Sequence, residues 1–168
     1  SGNSMSHHSI ASFSSRGPTD ELRIKPDVLC PGVAIHSAHS DGNTGSNNCG
    51  TVIDSSSGAV ATMSGTSMAS PLCAGAAALV RDYFFKGYAA AGVLDATKKI
   101  LPSAALVKAV MIHSAQDVKE SAYQTQYPNM KSGYGRVELS SALRFADSGY
   151  DAIYKDRQVV ANGGLELF

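Results

Sequence analysis

The sequence has no surplus of either charge. Lys+Arg and Asp+Glu stand at 14 each, so there is no net field to recruit nucleic acid or an anionic membrane surface. No apolar run approaches the ~18 residues that a membrane-crossing helix needs. Charged residues make up 17% and hydrophobic residues 43%, a balance that fits a folded chain and not a disordered one. The 168 residues suffice for one domain with a core of its own. The opening Ser1-Gly2-Asn3-Ser4 is polar and lacks a start Met, so no leader is visible and a processed or excised piece is expected. Only Cys30, Cys49 and Cys73 carry thiols, and none forms a C-x-x-C pair, which argues against zinc. Cys30 and Cys73 lie in apolar surroundings and read as small core residues. Cys49 lies in a polar stretch; in an exported protein it could pair with one of the others or with a cysteine elsewhere, and spacing does not choose.

What is present falls into a coarse order. Residues 1–12 and the polar, Ser/Asn/Gly-rich stretch 39–58 read as loops, the second long enough to expect a function or disorder. Phe13 to Pro18 is turn chemistry. Pro26 to Ile35 reads as a short segment, a Pro-Gly turn and a strand, and Val60-Ala61-Thr62-Met63 as an extended stretch. From 68 to about 85, apolar residues recur at helical spacing. Pro71 is expected in the first turn, where a missing N–H costs nothing. Ala74 to Ala78, with Gly75, make that helix thin on every side, which predicts a buried central helix. A second helix is expected from 103 to 115 after Pro102, and a third from 139 to 145 after the Gly133-Tyr134-Gly135 turn. Beyond Gly149 the pattern changes to weak alternation. The expected division is 1–149 for the main domain and 150–168 for the start of a following β-rich segment.

The string Gly65-Thr66-Ser67-Met68-Ala69-Ser70-Pro71 carries the chemistry. A glycine-containing turn delivers a serine to a helix N-terminus, where unpaired N–H groups and the helix dipole favour negative charge. An acyl-forming serine needs such a place, because an oxyanion develops beside the attacking oxygen. A plain helix cap is the alternative reading of Ser67 alone. The whole string resembles the nucleophile signature G-T-S-M-A-[ST]-P of the subtilisin-like serine proteases (peptidase family S8). Ala11 to Pro18 is similar to that family's segment upstream of the nucleophile. Lys25-Pro26-Asp27-Val28-Leu29-Cys30-Pro31-Gly32-Val33 is similar to K-P-D-[IV]-x-A-P-G-V, with Cys30 in place of the usual Ala. Ala74 to Leu79 and Gly133 to Val137 match two further runs. Leu72, often His in the family, leans toward large members that carry a C-terminal β-sandwich.

The resemblance implies an α/β fold: the C-terminal part of a three-layer α/β/α domain with a mostly parallel sheet, incomplete in this chain. It implies a serine endopeptidase acting on polypeptides, with Ser67 as nucleophile, its own N–H as an oxyanion donor, and Thr66 and Gly65 as support. No cofactor or metal is required. Structural calcium is common in the family, and oxygens between Asp41 and Asp54 could offer ligands, but no defined calcium loop is present and a solvated loop is expected. A secreted or lumenal (vacuolar, lysosomal) location follows from the resemblance alone.

An acid–base pair is what this sequence lacks. It has no H-G-T-H string and no G-N-x-G segment for an oxyanion Asn, both of which lie upstream of the serine in the family. Val52-Ile53-Asp54-Ser55, Asp147-Ser148-Gly149 and Asn162-Gly163-Gly164 are look-alikes, read as a polar loop, a helix stop and a hairpin turn. His7, His8, His36, His39 and His113 read as solvated or satisfied, and Asp27 as a structural hydrogen-bonding group. The chain by itself is therefore expected to be inactive, and to need an upstream fragment of the same domain as partner. A non-catalytic interaction module is the alternative. An α/β-hydrolase elbow, G-x-S-x-G, fails at Ala69.

Overall fold

The computed structural model describes residues 9–43, 45, 60–118 and 127–157. Two compact units divide the chain: Ser1–Cys73 with Asp117–Arg136, and Ala74–Gln116 with Val137–Phe168. Strand β1 (Ile35–Ala38) and strand β2 (Val60–Met63) pair antiparallel, with Ile35 opposite Met63 and Ala38 opposite Val60. Helix α1 (Thr66–Phe85) follows β2, and α2 (Ala104–His113) comes after two short 3-10 turns. Two short strands, β3 (Ala115–Gln116) and β4 (Arg136–Val137), complete the regular elements. No helix among the described residues is long and apolar enough to cross a membrane.

In the first unit, segments far apart in sequence meet through their main chains. Tyr134 N–H donates to Asp27 O at 2.8 Å and Leu29 N–H to Gly135 O at 2.8 Å. Leu29 and Arg136 form a parallel bridge, and Gly17 N–H donates to Met130 O at 2.9 Å. The approach explains Gly133: its φ is +57°, and a Cβ there would lie 1.9 Å from Pro26 O, so only glycine fits. The Asp27 carboxylate pairs with Lys25 and is partly exposed, not the buried hydrogen-bonding group expected.

The second unit is built on a hydrophobic core. Val80, Tyr83 and Phe84 of α1 pack with Leu106, Val110 and Met111 of α2 and with Ala142 and Leu143. Tyr154 stands edge-on to Phe84, ring centroids 5.0 Å apart. The Tyr83 hydroxyl donates to Arg144 O at 2.8 Å, and burial pushes that phenol well above its ordinary pKa. Ser103 caps α2: its Oγ accepts from Leu106 N–H, while the Asp156 carboxylate accepts from Ser103 N–H at 2.8 Å and from its hydroxyl at 2.5 Å.

Several expectations need correction. Helix α1 begins at Thr66, two residues before the expected start. Pro71 therefore falls in the second turn, and its missing N–H leaves the Ser67 carbonyl without the usual i+4 donor. The helix is not buried along its length. Leu72 is 42% exposed and Leu79 61%, while Ala76 and Ala77 pack against the cluster of Val80, Tyr83 and Phe84, so only one side of the helix is covered.

The third helix shrinks to a 3-10 turn, Leu139–Ser141. Ser140 Oγ bonds to Glu138 Oε1 and Ser141 Oγ to Glu138 O, local bonds that compete with a helical ladder. The hydroxyls of Tyr150 and Tyr154 take the Ser140, Leu143 and Ala142 carbonyls. Residues 150–157 hold no strand, and the rest of the expected β-rich segment, 158–168, lies outside the described residues. The strands that are described pair in twos, so these residues do not themselves form the mostly parallel sheet of a three-layer domain.

The two cysteines read as core residues are instead joined. Cys30 and Cys73 form a disulfide with Cα atoms 5.7 Å apart. A partial signal was present: Cys30 replaces the usual Ala of the string at 25–33, and Cys73 falls just after the string that ends at Pro71. With its ends separated by 43 positions in sequence, loop-closure entropy assigns the bond roughly 4 kcal/mol. Cys49 lies outside the described residues.

Candidate active site

The turn before α1 is held by its backbone. Gly65 N–H donates to Gly32 O at 2.8 Å, and Gly65 O accepts from Met68 N–H at 3.1 Å and Ala69 N–H at 3.3 Å. One residue earlier, the Ser64 hydroxyl accepts from Ala34 N–H at 2.8 Å. The segment 30–34 thus lies against 64–69, and Gly32 is the point of closest approach. A Cβ on Gly32 would stand 2.8 Å from Gly65 O and 3.1 Å from the Ala69 Cβ. The disulfide adds a covalent tie between the same two segments, from Cys30 to the second turn of α1.

This clamp presents Ser67 on the second residue of the helix, with its side chain exposed. Among the described residues, nothing hydrogen-bonds to Ser67 Oγ. The Thr66 and Ser67 N–H groups have no acceptor there either, since the bonds of the first turn begin at Met68. Unpaired N–H groups and the positive end of a 20-residue helix make this a place where a negative oxygen is stabilised. Thr66, Ala69, Ser70 and Cys73 also line a cavity of about 480 Å³.

The expected site residues Gly65, Thr66 and Ser67 are contiguous at one helix end, whereas among the described residues no base is brought to them. His36 lies on β1, exposed, with Nδ1 3.2 Å from Thr62 Oγ1. His39 is partly buried with its Nδ1 unpartnered. Neither bonds to Ser67. His113 closes the last turn of α2 in the second unit. His7, His8 and the strings at 52–55 and 162–164 lie outside the described residues, while Gly149 has φ +70° but follows no helix, so it is not the helix stop expected. Among the described residues no cluster of His, Cys, Asp or Glu could hold a metal. Asp41 and Asn43 at the edge of the polar stretch accept from Asn43 N–H and Gly45 N–H, as local turns.

The profile of the subtilase family (Peptidase_S8) matches residues 2–135. The chain belongs to the subtilase family. Subtilases are serine peptidases, and similar proteins carry that activity in their names. The chain is 40% identical over 156 residues to a serine protease/ABC transporter B family protein, tagD, of Dictyostelium discoideum; the match covers 84% of this chain and 8% of that protein. It is 50% identical over 74 residues to the serine protease AprX of Bacillus subtilis, covering 42% of this chain and 16% of AprX. It is 29% identical over 164 residues to a PII-type proteinase of Lacticaseibacillus paracasei, covering 86% and 7%. This subtilase chain therefore spans a small part of the proteins it resembles.

Proposed function

We propose that this chain is the nucleophile-bearing part of a subtilisin-like serine endopeptidase. The observation that carries the reading is Ser67 at the start of α1, its hydroxyl and the Thr66 and Ser67 N–H groups having no partner among the described residues. In the reaction, Ser67 Oγ bonds to the peptide carbonyl carbon while its proton passes to a base. The carbonyl oxygen becomes an oxyanion, for which the Ser67 N–H is a donor. The C–N bond then breaks, the amine leaves with the proton, and water hydrolyses the acyl-enzyme by the same steps. Thr66 and Gly65 support the turn, and the substrate is a polypeptide. No cofactor or metal takes part.

The base and its orienting Asp come from an upstream part of the same catalytic domain, since His36 and His39 make no bond to Ser67. The isolated chain is then inactive, and its fold completes a larger α/β/α domain with that upstream part. Export to a secreted or lumenal compartment is supported by the Cys30–Cys73 disulfide. A fluorescent fluorophosphonate tests the reading on the natural full-length protein and on this chain alone. Labelling of the full-length protein that vanishes in Ser67→Ala, and is absent from the chain alone, is the expected result. A folded full-length protein that takes no label would overturn it and leave a non-catalytic interaction module.

A further inference from the structure

The segment 30–34 holds the serine turn, and the disulfide is the covalent hold on that segment. Below it, the β1–β2 ladder anchors 35–38 to 60–63. Above it, Leu29 is bonded to Gly135. Between these anchors, the contacts to the turn are the Gly65–Gly32 and Ala34–Ser64 hydrogen bonds, the close approach of Gly32 to Ala69, and the Cys30–Cys73 bond. Both cysteines are half-buried and line the cavity beside Thr66, so the bond lies at a cavity wall and not inside the packed core.

We propose that the Cys30–Cys73 disulfide is a redox-sensitive positioning device for the Gly65–Ser67 turn: oxidised, it fixes the turn; reduced, it lets segment 30–34 part from α1. The reductant is a dithiol. It gives two electrons to the S–S bond, its two protons complete the Cys30 and Cys73 thiols, and it leaves as its own disulfide. The separated segment then releases Gly65 N–H and Ala34 N–H, and the N-terminal N–H groups of α1 lose their fixed direction. Cys30 and Cys73 act here through the turn and touch no substrate. The consequence for catalysis rests on Ser67 being the nucleophile, whereas the consequence for the turn does not.

Amide hydrogen exchange on the full-length protein separates the two. Reduction with dithiothreitol, or the Cys30→Ala/Cys73→Ala variant, should speed exchange at Gly65 and Ala34 by on the order of tenfold or more. Amides of α2 should stay unchanged, and reoxidation of the reduced wild type should restore protection. The rate of fluorophosphonate labelling should fall in step. Unchanged exchange at Gly65 and Ala34, with both thiols shown free by alkylation, overturns the proposal. So does equal acceleration in α2, which would make the bond a general staple and not a positioning device. Faster exchange at the turn in a protein that takes no label even when oxidised upholds the device and sinks the nucleophile reading.

Discussion

Two regions of this chain are ordered in different ways. Around Phe84 the order comes from side chains: Val80 and Phe84 are fully buried, and the rings of Tyr83, Tyr88, Phe145 and Tyr154 meet edge-on or stacked. Around Ser67 the order comes from main-chain bonds, one glycine approach and a disulfide, while Thr66, Ser67 and Ser70 remain exposed. The difference follows from what each region must leave open. A core gains by removing every apolar atom from water. A serine that is to attack a carbonyl needs a free hydroxyl and unpaired N–H groups, so the turn must be stiffened by residues on either side of it. Ser64, Gly65 and Gly32 carry those bonds, and among the described residues the Ser67 hydroxyl carries none.

The sharpest way to separate the regions is Ser67→Ala. It should abolish fluorophosphonate labelling of the full-length protein outright, yet leave the thermal unfolding midpoint unchanged, because Ser67 Oγ bonds to nothing described here. Phe84→Ala is the opposite case. Emptying a fully buried phenyl site should destabilise by about 3–5 kcal/mol, read from the denaturant midpoint. A loss under 1 kcal/mol would mean that the aromatic cluster is not the core it looks to be. Gly32→Ala falls between them. The new methyl must displace Gly65 O or the Ala69 Cβ, and a shift of the turn by a fraction of an ångström should slow labelling on the order of 10- to 100-fold, with a loss of stability of about 1–3 kcal/mol from the overpacking. Equal labelling rates would show that segment 30–34 does not set the position of Ser67.

The serine turn was the more legible of the two regions. A glycine turn, a serine and a helix make up a local signal, and the string from Gly65 to Pro71 carries it in seven residues. The runs at 25–33 and 133–137 were also readable, though not the reason that they meet, which is the Gly133 approach to Pro26. What sequence reading missed depends on partners far away in the chain. Cys30 and Cys73 looked like core residues because each was judged by its neighbours, and the bond depends on the clamp that brings 30–34 against α1. The helix expected at 139–145 is undone by Tyr150 and Tyr154, whose hydroxyls donate to its carbonyls, and by Ser140 and Ser141, whose hydroxyls bond back to Glu138. The burial expected of α1 was inferred from small residues, but small side chains permit close packing without requiring it.

The smallest effect tests the buried-core region from its rim. Asp156 accepts two hydrogen bonds from Ser103, and Ser103 Oγ in turn accepts from Leu106 N–H, so a carboxylate holds the cap of α2. The bond from the Ser103 hydroxyl first, and that from its N–H second, keep Asp156 below the ordinary aspartate pKa. A folded-state value below the unfolded one means that the unfolded chain takes up the proton first as pH falls. The contribution of Asp156 is therefore complete above the ordinary value, about pH 4, and is lost as the pH falls from there through the lowered value. Exchange at the Leu106 amide should accelerate across that acid window in the wild type. Asp156→Asn should show the faster exchange already at neutral pH and no further acid step at that amide. Asp95, held low by the Thr97 hydroxyl and then its N–H, adds a loss of the same sign elsewhere, so the Leu106 amide and not the global midpoint is the readout. A wild-type acid step that persists in Asp156→Asn would assign the cap of α2 to Ser103 alone.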